Sequence, residues 1–472
     1  MNLAGKVAWN TIVQFLSKII SIVLGLFTIG IMTRYLGPSN FGEYTTILTF
    51  ISFFAVAADL GLTLVTVQMI SVPNVDQNKT LSNLFSLRLI SALVMLLAAP
   101  VFVWLFPYSQ AIKIGVAIAW SSYFFVALNQ ILIGFFQKEL RLDKASIAEI
   151  VSRIVLFIGI VLTVKYDLGL NGILWFSVIS SFLNFGLLFY YSRPYAKISL
   201  NFNWEIWLEI TKKSWPIGVT IFFNLIYLRT DILLLSIFKS QNDVGVYGAA
   251  YKVIDVLITL PFIFAGIVLP IMTSSWLNKN HERFQMVVQR SFDLMSLLAI
   301  PQFFGAYFLA GSLMSLVAGK EFAISGPILQ ILMAASSIVF IGTVFSHAVI
   351  AVNRQKNIIG AYAFVAATSL IGYLIFIPKF SYFGAAWVTI YSELAIALAS
   401  FYIVYKESGF VPHFKVFNKS LLASIIMSLG IIALKHFSLL TNISVAIFSY
   451  FISLYMLKGI TKQDILELVA KS

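Results

Sequence analysis

The sequence predicts an all-α integral membrane protein of about 14 transmembrane helices, built as two pseudo-symmetric six-helix lobes plus an extra C-terminal helix pair. Three observations carry this prediction. Hydrophobic residues fill 60% of the 472 positions and charged residues only 11%, and the mean hydropathy of +0.93 lies far above that of a soluble domain. Apolar runs of roughly 20 residues, the length that crosses a bilayer, recur along the whole chain. Short landmarks also return in the same order in the second half.

The first run, 7–33, is too long for a signal-peptide core and no small-x-small cleavage site follows it, so it reads as the first span. MTRYLGPSNFGEY, residues 32–44, then turns the chain: Gly37-Pro38 supplies the turn, Gly42 opens the next helix, and Tyr35 and Tyr44 suit the headgroup layer. Spans follow near 43–70, 81–106 and 110–136. A basic connection, Lys138 to Lys144, leads into 145–165 and 170–191. A second basic stretch, Arg193 to Lys213, precedes 212–238. Next come 244–273 and 285–317, where Pro261, Pro270 and Pro301 remove backbone donors and bend or hinge the helices. The last spans are 326–350, 357–378, 383–405, 417–435 and 440–457. No room is left for a soluble domain.

The net charge is +13, but the cations do not cluster as in a nucleic-acid-binding arm, so nucleic acid is excluded as a partner. Their placement gives topology instead. Counting from a cytoplasmic N-terminus, the even-numbered connections hold the basic runs. The odd-numbered ones hold roughly one cation each: Arg34, Lys113, Lys165, Lys239, Lys320, Lys379 and Lys435. Both termini are expected in the cytoplasm, and the chain in a bacterial inner membrane. With no Cys and four scattered His, neither a disulfide nor a metal site is expected, and no cofactor is implied.

Gly42-Glu-Tyr44 returns as Gly245-Val-Tyr247, again on an external connection. Asn171-Gly172 to Trp175 returns as Phe383-Gly384 to Trp387, and Arg141-x-x-Lys144 falls on Asn353 to Lys356. Order, sidedness and near-constant displacement indicate a duplication of six helices. An even number of spans per repeat makes the lobes parallel. The expected domains are 1–193, 194–406 and 407–472, the last holding the extra pair and a cytoplasmic tail.

The run Arg34-Tyr-Leu-Gly37-Pro38-x-x-Phe-Gly42-x-Tyr44, then Asp59-Leu-Gly-Leu62, Lys213-Ser-Trp-Pro216-Ile-Gly, and Asp231 followed by Val244-Gly-x-Tyr247-x-x-Ala250-Tyr-Lys252, resembles the polysaccharide export proteins. These are the Wzx-type O-antigen and related lipid-linked oligosaccharide flippases of the multidrug, oligosaccharidyl-lipid and polysaccharide (MOP) exporter superfamily. The resemblance implies a two-lobed bundle that moves an undecaprenyl-diphosphate-linked glycan from the inner to the outer leaflet, with a polysaccharide polymerase and other assembly proteins as partners alongside membrane lipids. Many members have twelve spans, whereas fourteen resembles the lipid II flippase branch.

Six cations fall within spans: Lys18, Arg88, Arg153, Arg229, Lys252 and Arg290. Each costs roughly 2.5–3.5 kcal/mol at the bilayer centre, so all six facing lipid would cost on the order of 15–20 kcal/mol. They must face an interior, a cavity or the membrane edge. Glu149 precedes Arg153 by four residues, while Asp255 and Asp293 follow Lys252 and Arg290 by three, so these three pairs can meet on one helix face. Lys18, Arg88 and Arg229 have no such partner, although Arg88 and Arg290 lie near inner ends where they can snorkel. Lys18 sits about 16 Å along its helix and Arg229 about 25 Å along its own. An Arg fork matches phosphate, so these cations are expected to line an anion-binding cavity between the lobes. Asp59, Asp231, Asp255 and Glu393 are candidates for coupling to protons or Na⁺, against the competing reading that they form interhelical ion pairs. The rival functions are a cation-coupled multidrug antiporter, whose cavity should be acidic, and a membrane polymerase or ligase, which should carry a large external loop.

Overall fold

The computed structural model describes residues 3–59, 61–72, 76–434 and 436–459, with the backbone alone at 3–12 and 15. Lys435 and the expected cytoplasmic tail after Gly459 lie outside the described residues. In chain order the helices are α1 (Leu3–Asp59), α2 (Leu62–Ile70), α3 (Gln77–Phe102), α4 (Gln110–Lys138), α5 (Leu142–Lys165), α6 (Gly169–Ser192), α7 (Trp204–Phe238), α8 (Gln241–Leu257), α9 (Thr259–Leu277), α10 (His281–Ala318), α11 (Gly326–Ala351), α12 (Gln355–Ser408), α13 (Lys415–Ala433) and α14 (Leu439–Met456).

Twelve helical stretches among the described residues are long and apolar enough to cross a membrane. Two of them are too long to cross only once. Straight, the 57 residues of α1 would reach about 85 Å against a hydrocarbon core of about 30 Å. α1 breaks at Gly37, with φ 66° and ψ 175°. The residue before a proline is kept out of the helical region, and only glycine takes this positive φ readily. α12 breaks at Ser381, with φ 50° and ψ −136°. The sequence boundaries 33/43 and 378/383 fall on these breaks, which accounts for the difference between twelve stretches and about fourteen expected spans. Of the three prolines, Pro270 and Pro301 sit inside continuous helices, while Pro261 follows the α8–α9 break.

The chain divides into two compact units, Met1–Gly245 and Val246–Ser472. The sequence places its lobe boundary at 193/194. The first unit runs further because α7 packs on α1, α2 and α3. Hydrogen bonds sort this unit's connections into two ends. At one, the Tyr35 hydroxyl donates to Asp167 Oδ1 at 2.7 Å and accepts the Gly169 N–H, Ser109 donates to Glu43, and Thr46 donates to Gln241 Oε1. These are the connections expected outside. At the other end Lys138 and Gln77 both donate to Glu139. There the extended chain after α6 lies along α3, with the N–H groups of Lys197, Ser199, Asn201 and Asn203 donating to Asn78, Ser82, Ser86 and Asn83. The side chains of one polar stripe satisfy a backbone that has no sheet to join.

The two landmark glycines meet. A Cβ at Gly42 would lie 1.7 Å from the Gln241 carbonyl oxygen, and one at Gly245 would lie 1.8 Å from the Pro38 carbonyl oxygen. Pro38 stands to Gln241 as Gly42 stands to Gly245, so the contact is reciprocal.

In the second unit α9, α10, α11 and α12 enclose a core around Phe284, Phe292, Phe340 and Phe345. The C-terminal pair joins it through α10. Ala423, Met427, Tyr450 and Leu454 pack on Leu309, the Tyr450 hydroxyl donates to the Leu297 carbonyl at 2.8 Å, and Ser420 lies 2.8 Å from that hydroxyl.

Candidate functional site

A buried ion pair of the first unit is explained by the break after α1. Gly61, at φ 78°, interrupts the helical ladder between α1 and α2, and it abuts α7: a Cβ there would lie 2.4 Å from the Ser214 carbonyl oxygen. The break leaves the Ala58 carbonyl without its helical partner. Arg88 Nη1 donates to that carbonyl at 3.1 Å and Ser91 Oγ at 2.9 Å, while Arg88 Nε donates to the Ala127 carbonyl. The same guanidinium pairs with Asp59 Oδ1 at 2.7 Å, and Thr63 donates to Asp59. Arg88 is only 3% exposed. Neither residue has a partner on its own helix. The pair forms between helices, the alternative the sequence left open, with three of the five guanidinium donors and Asp59 Oδ1 engaged.

Arg153 meets Glu149 at 3.1 Å, as helical spacing predicts. It lies against α1 opposite Gly25, where a Cβ would sit 3.9 Å from Arg153 Nη1. Lys18, two helical turns before Gly25 and thus on nearly the same face of α1, is half-buried. Arg229 is half-buried on α7 and close enough to Tyr123 to interact electrostatically. The Tyr123 hydroxyl donates to the Leu48 carbonyl at 3.1 Å. This tyrosine escapes a reading of α4 that looks only for charge. Two residues along, Asp231 is fully buried and accepts the Ile232 N–H.

In the second unit Lys252 Nζ lies 4.0 Å from Asp255 Oδ2. The expected pairing of Arg290 with Asp293 does not form. Asp293 accepts from Gln289 at 2.9 Å, and Gln289 is itself fixed by the backbone of His413, so the connection after α12 takes the place the cation would need. Arg290 is exposed, as a snorkelling side chain is. Glu393 lies near Tyr362 and is half-buried. No group of three or more His, Cys, Asp and Glu that could hold a metal occurs among the described residues.

A family model described as polysaccharide biosynthesis protein matches residues 31–327, more than half of the chain. The chain belongs to that family. Among its relatives, the "Probable low-salt glycan biosynthesis flippase Agl15" of Haloferax volcanii is 24% identical over 394 residues, covering 81% of this chain and 80% of its own. The capsular polysaccharide biosynthesis protein CapF of Staphylococcus aureus is 21% identical, covering 84% and 98%. Among solved structures, the lipid II flippase MurJ in its inward closed conformation superposes with a TM-score of 0.77 at 19% identity, covering 94% of this chain and 98% of that one. An inward-facing multidrug resistance MATE transporter of the MOP superfamily gives 0.64 at 15% identity, covering 84% and 96%. At such identities the likeness shows the fold alone: the chain shares its fold with these two structures, and its long apolar stretches, twelve among the described residues, make it a multi-pass membrane protein.

Proposed function

We propose that the chain is a flippase that carries a glycan linked to undecaprenyl diphosphate from the inner to the outer leaflet by alternating access, with the diphosphate held by cations within the spans. The observation that carries this reading is the half-buried state of Lys18, Arg229 and Arg153, the last with Glu149 on one side of its guanidinium, inside helices that cross the membrane. Lipid alone does not stabilise such charges, and a diphosphate supplies both opposite charge and acceptor oxygens. Lys252, in the second unit and 4.0 Å from Asp255, is a further candidate cation of the same kind. Arg88 leaves the set, because Asp59 neutralises its charge and, with two carbonyls, takes three of its five donors. The polysaccharide biosynthesis family and the relative named as a glycan biosynthesis flippase support the same class of cargo. The basic end of the first unit faces the cytoplasm, and the flipped glycan passes to a polymerase of the assembly machinery. Asp231, Asp255 and Glu393 are the groups through which protons or Na⁺ would couple. Asp59 is committed to Arg88.

The test is translocation of a diphosphate-linked oligosaccharide lipid in proteoliposomes, comparing wild type with Lys18→Gln/Arg229→Gln. The reading requires that wild type moves the lipid and that the folded variant does not. Transport of an organic cation against an ion gradient, with no movement of the lipid, would replace it with the antiporter reading.

A further inference from the structure

The basic end of the first unit carries a cluster that the transport reading does not use. Two connections distant in sequence, the α4–α5 turn and the end of α6, place cations against aromatic rings. Lys144 Nζ lies 5.3 Å from the Tyr191 ring centroid, Arg141 Cζ 5.4 Å from that of Tyr195, and Arg193 Cζ 5.6 Å from that of Phe189. The backbone beneath is fixed: Lys144 N–H donates to the Arg141 carbonyl, and the N–H groups of Tyr195 and Ala196 both donate to the Ser192 carbonyl. The nearby carboxylates are already engaged, Asp143 with Arg141 and Glu139 with Lys138. Among the described residues Lys144 and Arg193 take part in no ion pair.

Directly along α5 from Lys144 runs an exposed apolar stripe, Ile147, Val151, Ile154 and Ile158, at the three- and four-residue spacing that keeps one helix face. On α6 the matching stripe is Trp175, Ile179, Phe182 and Tyr190. Gly186 falls between the last two, and a Cβ there would meet nothing within 4 Å. Arg153 is nine residues beyond Lys144, half a turn round the helix, and faces α1. Lys144 of the rim and Arg153 of the transport set therefore lie on opposite faces of α5.

We propose that Lys144, Arg193, Tyr191 and Tyr195 form a binding site for the headgroup of an anionic phospholipid whose acyl chains lie along the exposed faces of α5 and α6. The phosphodiester accepts from the Arg193 fork and the Lys144 ammonium, and the tyrosine hydroxyls suit the headgroup layer. A soluble phosphate would use the rim but leave the stripes uncovered. A zwitterionic lipid would cover the stripes without neutralising the rim. The inference requires only that these helices lie in a bilayer, so it stands apart from the flippase reading.

The experiment places the full-length protein in phosphatidylcholine nanodiscs with spin-labelled phosphatidylglycerol or spin-labelled phosphatidylcholine and reads the immobilised fraction of each. Wild type should prefer phosphatidylglycerol, and Lys144→Gln/Arg193→Gln should lose that preference, by about five-fold for each cation removed. The charge-preserving Lys144→Arg/Arg193→Lys should keep it, as should Lys79→Gln/Lys212→Gln, which removes two cations elsewhere on the same unit. Lys144→Gln alone, a milder change to the fold, should show half the effect on a logarithmic scale. An unchanged preference in Lys144→Gln/Arg193→Gln overturns the proposal, and so does an equal loss in Lys79→Gln/Lys212→Gln. Displacement of the labelled phosphatidylglycerol by equimolar undecaprenyl diphosphate also overturns it, and would give the rim to the diphosphate lipid instead.

Discussion

Replacing Arg88 with Met removes one side of a pair that lies 3% and 9% exposed. Asp59 then loses its cationic partner and retains the Thr63 hydroxyl, and the Ala127 carbonyl loses its side-chain donor. The Ala58 carbonyl keeps Ser91, so the freed backbone is not wholly orphaned. Breaking a buried pair from one side costs about 3–5 kcal/mol. Removing both charges with Arg88→Met/Asp59→Leu is expected to recover most of that, leaving a deficit of about 1–2 kcal/mol, because the main penalty is the uncompensated charge. The assay is a double-mutant cycle on unfolding in mixed micelles, followed by intrinsic fluorescence, with glycan-lipid translocation measured on each folded variant. If Arg88 is structural, the double variant should be more stable than either single variant and should still transport. A single variant less than about 1 kcal/mol below wild type, or a double variant as unstable as the sum of the singles, would refute the clamp. A stable double variant that no longer transports would return Arg88 to the substrate path.

Two further outcomes follow from particular contacts. Gly42→Ala and Gly245→Ala each push a Cβ into a carbonyl oxygen under 2 Å away, so either should sharply reduce the monodisperse fraction in size-exclusion chromatography, whereas Gly186→Ala, with open space around it, should not. Burial works to raise the Glu139 carboxyl, but hydrogen bonds from Lys138 and Gln77 outweigh it and hold the group below the usual carboxylate range. The stabilisation it gives the α4–α5 turn is therefore fully present above the ordinary carboxylate value and is lost as pH falls through the depressed one. The protection factors of the amides at residues 137–144, taken relative to the intrinsic exchange rate at each pH, should fall in acid in the wild type, and Glu139→Gln should remove that pH dependence.

The sequence by itself determined the membrane class, the order of the spans, the repeat landmarks and the pairs that helical geometry dictates. Residues three or four apart share a face whatever else the chain does, so Glu149 with Arg153 and Lys252 with Asp255 could be read directly. The turn at Gly37-Pro38 was equally legible, since proline restricts its predecessor wherever it stands. Tertiary structure alone decided which helices face each other, because that depends on how whole apolar faces pack. The Asp59–Arg88 clamp, the Tyr123 neighbour of Arg229 and the rim that joins Lys144 to Tyr191 all bring together groups from different helices, and the diversion of Asp293 to Gln289, its neighbour on α10, rests on the His413 backbone from the connection after α12. A long polar side chain reaches several neighbours at similar cost. Only the positions of those neighbours select among them, and no spacing along one helix encodes that choice.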